Sequence, residues 1–76
     1  MKGALSLYTD RERICRELGN TEDLAIALIN HALTLAEMKK TREAHRLADE
    51  SLRLAHGIGY GSLAEQILAM KAKWGI

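Results

Sequence analysis

The sequence predicts an all-α protein of four antiparallel helices, stacked as repeats of a helix-turn-helix unit. Three observations lead there. First, two stretches match at the shift that lays Ala4 on Ala44, which also lays Leu7, Arg13, Ile14, Cys15, Leu18 and Gly19 on Leu47, Arg53, Leu54, Ala55, Ile58 and Gly59. Beyond Gly19 the better match is one position shorter, where Asp23-Leu24-Ala25 meets Ser62-Leu63-Ala64 and Leu28-Ile29 meets Ile67-Leu68. Self-similarity at such a period marks α-solenoids, whose units bury their apolar faces only against neighbours. Second, apolar residues recur at helical spacing and no segment alternates with period two. Third, the 76 residues contain no proline, so the usual interior helix breaker is missing throughout. A four-helix bundle or a helix-swapped dimer is the alternative architecture that the same pattern allows.

Each helix has its own signals. Helix one, about 4–18, carries small or apolar residues at 4, 7, 8, 14, 15 and 18, and Gly19 supplies a left-handed C-terminal cap. Asn20 is the N-cap of helix two, about 21–39, with Glu22 and Asp23 in the first turn, where the helix dipole favours negative charge. This helix is apolar on more than one side, through Leu24, Leu28 and Leu35, through Ile29 and Leu33, and through Ala25, Ala32 and Ala36 between them. Such a helix lies between two layers or faces a partner. Thr41 is expected to cap helix three, about 42–57, whose stripe is Ala44, Leu47, Ala48, Ser51, Leu54, Ala55 and Ile58. Gly57, Gly59 and Gly61 break the chain, and Ser62 with Glu65 forms a capping box that opens helix four, about 62–73. Connections this short make sequential helices antiparallel.

Length and composition narrow the function classes. The chain is a single domain, 1–76, and a domain of this size buries only about 60% of its unfolded surface, so assembly would help it. A formal net charge of +1 with both signs interspersed gives no nucleic-acid or anionic-membrane footprint. The single cysteine makes no intramolecular disulfide, which fits a reducing cytoplasm. The most apolar run, Leu24 to Ala36, is interrupted by Asn30 and His31 and is too short to span a bilayer. A cytoplasmic, soluble chain is expected.

From Asn30 onward the chain resembles a tetratricopeptide repeat, in one of its longer variants. Asn30-His31-Ala32, Leu35, Ala44 at twelve positions beyond Ala32, then Ala48 and Ser51, follow that family's spacing. Small residues fall where its helices cross, and backbones approach to about 8 Å only over Ala, Ser or Gly. The order implied is B, A, B, A, beginning and ending in mid-repeat. The resemblance further implies that helices two and four line a groove for a peptide or a partner helix, at Ile26, Ile29, Asn30, Leu33 and Glu37, and in helix four at Leu68, Ala69 and Ala72. Asn30 is the sharpest of these, since an amide both donates and accepts toward a ligand backbone. The chain departs from the family at the Lys39-Lys40 turn, which usually carries glycine, and at Arg11, where helix three has Ser51. The family's carboxylate-clamping basic residues have no counterpart here.

Other features read as structural. Cys15, His31, His45 and His56 sit on three helices without zinc-site spacing, so no metal is expected. His45 and Asp49 read as a surface pair four apart, and Cys15 as a small core residue. The Gly57 to Gly61 segment follows a helix and lacks the Lys-Ser/Thr ending of a phosphate loop. No isolated pair of acids points to acid–base chemistry, so neither an enzyme nor a cofactor is expected. Trp74 is expected on helix three or on a second subunit, and Tyr8 in the core with its hydroxyl at the rim. Both are candidates for self-association. The leading expectation is a protein–protein interaction module that binds a peptide, a helix or another copy of itself, and forms a homodimer. A helix-turn-helix DNA-binding domain is weaker, because its recognition helix offers only Lys71 and Lys73, at the far end. A designed or excised scaffold without activity of its own is a further alternative.

Overall fold

The computed structural model describes residues 4–75, with side chains described from Ser6 onward, so the Ala4 side chain expected on the first stripe lies outside the described residues. Four helices follow one another: α1 (Ala4–Leu18), α2 (Thr21–Glu37), α3 (Thr41–Gly57) and α4 (Gly61–Trp74). There is no strand among the described residues. The fold is all-α, as the periodicity predicts.

The three connections are one turn used three times. Gly19, Lys39 and Gly59, evenly spaced along the chain, all take the left-handed conformation, with φ of 69°, 64° and 73°. In each turn that residue's N–H bonds to the carbonyl three positions back, Arg16, Ala36 or His56. The next N–H reaches five back, to Cys15, Leu35 or Ala55. That pair of bonds is the Schellman arrangement, which satisfies the last carbonyls of each helix. Glycine suits two of the positions; Lys39 is the positive-φ residue with a side chain among the described residues. Helix two accordingly stops at Glu37 rather than Lys39.

Helix starts follow the expectation once and depart from it twice. Asn20 Oδ1 accepts from the Asp23 N–H at 3.3 Å, as predicted for that N-cap. Thr41 is instead the first helical residue of α3, with Lys40 at the cap and no side-chain capping bond. The Ser62–Glu65 capping box does not form either, because α4 starts one position earlier, at Gly61, with Tyr60 at the cap. In both cases the Schellman turn fixes where the next helix begins, and the capping-type side chain falls one or two positions late.

Equal turn spacing also gives both helix pairs one register. At the shift that takes Gly19 to Gly59, α1 matches α3 and α2 matches α4. The shorter shift that aligns the later helices by side-chain identity is corrected by the turns, and in the corrected register the polar contacts recur at equivalent positions of α2 and α4, with partners on α1 and α3 about one helical turn apart in the repeat. His31 of α2 pairs with Glu12 of α1, and Lys71 of α4, which stands where His31 does in the repeat, pairs with Asp49 of α3. Thr34 meets Tyr8 on the preceding helix, and Trp74, the counterpart of Thr34, meets His45.

The substantial packing is between helices adjacent in the chain, α1 on α2, α2 on α3 and α3 on α4. α1 and α4 form no comparable interface, so the helices make an open stack measuring 36 × 33 × 14 Å and not a closed bundle. The α2–α3 interface is the most extensive and the driest. Ala25, Ala32, Ala44, Ala48 and Ala55 are fully buried there, which lets the two backbones come close. Ser51, also fully buried, donates its hydroxyl to the Ala25 carbonyl at 2.6 Å. A second cluster of Cys15, Leu24 and Leu28 joins α1 to α2, with Leu47 and Leu54 of α3 packed over it.

Candidate functional site

The side of α2 left uncovered by its neighbours carries Ile26, Asn30, Leu33 and Glu37, at steps of four, three and four, which is one stripe of a helix. Asn30 and Glu37 are exposed, Ile26 is half-buried, and Leu33 is 39% exposed despite being apolar. Thr34 Oγ1 donates to the Asn30 backbone carbonyl at 3.2 Å, a bond that leaves the Asn30 side-chain amide uncommitted. Ile29, expected on the same face, is buried in the core cluster with Ala25 and Ala32, so it supports this surface from beneath.

On α4, Leu68, Ala69 and Ala72 are all exposed. In the register set by the turns they correspond to Leu28, Ile29 and Ala32 of α2, which lie buried within the stack. The counterparts of Ile26, Asn30 and Leu33 are instead Gln66, Met70 and Lys73. The stripe on α2 is therefore continued on α4 by Gln66, Met70 and Lys73, whereas Leu68, Ala69 and Ala72 belong to the open end of the stack.

Polar groups gather where the outer helices meet the central pair. At α1–α2, Glu12 Oε2 lies 2.7 Å from His31 Nδ1, and both side chains are largely shielded from water. The Tyr8 ring stacks on His31 at 5.5 Å and 13°. The Tyr8 hydroxyl and Thr34 Oγ1 share a hydrogen bond at 3.3 Å. At α3–α4, Lys71 pairs with Asp49, and His45 meets Trp74 edge-on at 5.4 Å. His45 Nε2 is buried with no hydrogen-bond partner among the described residues. The expected His45–Asp49 pair is replaced by these two separate contacts across the helices. Each outer helix thus meets the helix beside it through an acid–base contact and a contact between an aromatic ring and a histidine, and α1 is also tied to α3 by the Arg16–Glu50 ion pair. Tyr8 and Trp74 both find their ring partners within the chain. Reading each helix alone misses this arrangement; the matching repeat positions of His31 and Lys71 are the signal that could have shown it.

Cys15 is a free, buried thiol against Leu24 and Leu28. Among the described residues no three potential metal ligands come together. No helix of the described residues is long and apolar enough to cross a membrane. A shallow open cleft lies between the first and third turns, lined by Gly19 to Glu22 and by Ile58 to Tyr60, which places those two turns on the same side of the stack.

Fold and surface define an all-α protein of four stacked helices. Comparison with protein-family models, with curated proteins and with solved structures gave no match.

Proposed function

We propose that the chain is a protein–protein interaction module of the helical-repeat kind, similar to tetratricopeptide repeats. On this reading it takes a peptide or partner helix along the uncovered side of α2, continued by α4. The observation that carries this is the stripe Ile26, Asn30, Leu33 and Glu37, an exposed leucine beside a free amide on a helix whose other sides are buried. An apolar residue flanked by groups able to bond a backbone is what peptide recognition on a rigid helix requires. The stripe is short, so the affinity expected is modest, about micromolar to tens of micromolar. Gln66, Met70 and Lys73 would extend the contact with a soft apolar side chain and a cation, favouring a segment with an acidic residue near one end.

A random-peptide display selection on the folded protein tests the reading. Recovered peptides should bind wild type and lose at least about tenfold in affinity against an Asn30→Ala, Leu33→Glu variant, a loss on the scale of one or two contact residues. Both positions are exposed, so the variant should keep its helical circular dichroism. Peptides that bind the variant as well as wild type would overturn this surface as the site.

A further inference from the structure

The two ends of the stack are matched to each other. At one end, α1 exposes Leu7 (61%), Ile14 (47%) and Leu18 (76%), with Arg11 among them on the same stripe. At the other, α4 exposes Leu68 (50%), Ala69 and Ala72, with Glu65 on the same stripe. Inside the molecule the equivalent surfaces already pack together. Leu7, Arg11 and Ile14 correspond to Leu47, Ser51 and Leu54 of α3, while Glu65, Leu68, Ala69 and Ala72 correspond to Ala25, Leu28, Ile29 and Ala32 of α2. Leu47 and Leu54 pack on the α2 side, and Ser51 bonds the Ala25 carbonyl.

We infer that a second copy of this chain docks head to tail, its α1 on the α4 of the first, repeating the α2–α3 interface between molecules. The register places Arg11 of one copy opposite Glu65 of the other, at the point where Ser51 meets Ala25 within the chain. Arg11 is the residue that departs from the small side chain of the repeat, and Glu65 replaces an alanine at the matching place. Two departures of opposite charge in register with one another make an ion pair where a hydrogen bond stood. Neither the Arg11 nor the Glu65 side chain has an ion-pair or hydrogen-bond partner among the described residues.

A single charge inside each apolar end discourages contact with any surface that lacks the opposite one. The contact joins two different surfaces, so it does not close on itself at two copies, and species larger than a dimer form as concentration rises. It uses neither Asn30 nor Leu33, so it stands apart from peptide capture on the α2 stripe.

Sedimentation of the full chain from tens of micromolar to about 1 mM, the range suited to an interface one helix wide, is the test. Wild type should grow past dimer without a limiting size. Arg11→Glu alone and Glu65→Arg alone should each weaken association at least about tenfold, because like charges then face each other. Mixing the two variants should restore it, since contacts in the mixture can again join compatible ends. The double variant should also assemble. Both positions are exposed, so circular dichroism should be unchanged. A monomer throughout, a series that stops at dimer, or mixed variants that stay dissociated would each overturn the inference. Association that persists in Asn30→Ala, Leu33→Glu while peptide binding is lost would separate the two surfaces.

Discussion

The central interface and the two outer ones are built from different materials. Between α2 and α3 the contact is made of alanines with no accessible surface and one buried hydroxyl bonded to a backbone carbonyl. Between α1 and α2, and between α3 and α4, side chains are longer and partly wet, and acids meet bases across the gap. The first kind depends on close approach, so its strength lies in dispersion and in the absence of voids. The second depends on polar contacts at partly hydrated sites, each contributing about 1 kcal/mol or less. The stack therefore has a tight middle and looser edges, and the edges carry the surfaces available to other molecules.

The largest effect expected from breaking this contrast is at Ala48. Replacing it with leucine forces a branched side chain into a crossing with no free space, at a cost of about 1–3 kcal/mol or loss of the fold. Urea denaturation would read it as a lower midpoint. At the α1–α2 edge, His31→Ala removes the Glu12 contact and the stacking on Tyr8, and should cost only about 0.5–1.5 kcal/mol. That loss should appear mainly in α1, visible as faster amide exchange there. If His31→Ala proved as damaging as Ala48→Leu, the distinction between middle and edge would fail. The smallest effect is a gain. Lys39→Gly relieves the left-handed strain of the middle turn and should raise stability by about 0.5–1 kcal/mol, net of the freedom glycine adds to the unfolded chain. A higher thermal midpoint would show it.

Much of the fold is legible in the sequence because it rests on local rules. Helical spacing, the glycines at 19 and 59 and the Asn20 cap set the four helices nearly to the residue. The register of the second pair comes out one position short, since Leu63-Ala64 resembles Leu24-Ala25 more closely than Ala64-Glu65 does. Side-chain identity and backbone equivalence disagree there, and the Schellman turns decide in favour of the backbone. Thr41 and Ser62 mislead for the same reason: a turn set by carbonyls further back leaves a nearby hydroxyl without a capping role. On the candidate surface, Asn30, Leu33 and Glu37 stand exposed where expected, but Ile29 is buried. Its placement depends on the angle at which α3 crosses α2, which periodicity along one helix does not encode. The Glu12–His31 and Asp49–Lys71 contacts join residues 19 and 22 apart, beyond any window that reads one helix at a time.

The most direct measurement is hydrogen exchange of the backbone amides at two protein concentrations. At low concentration the slowest amides should lie in α2 and α3, with α1 exchanging fastest. At high concentration, protection should rise in α1 and α4 and stay unchanged in the middle. Equal protection across all four helices, unaltered by concentration, would contradict both the tight middle and the matched open ends.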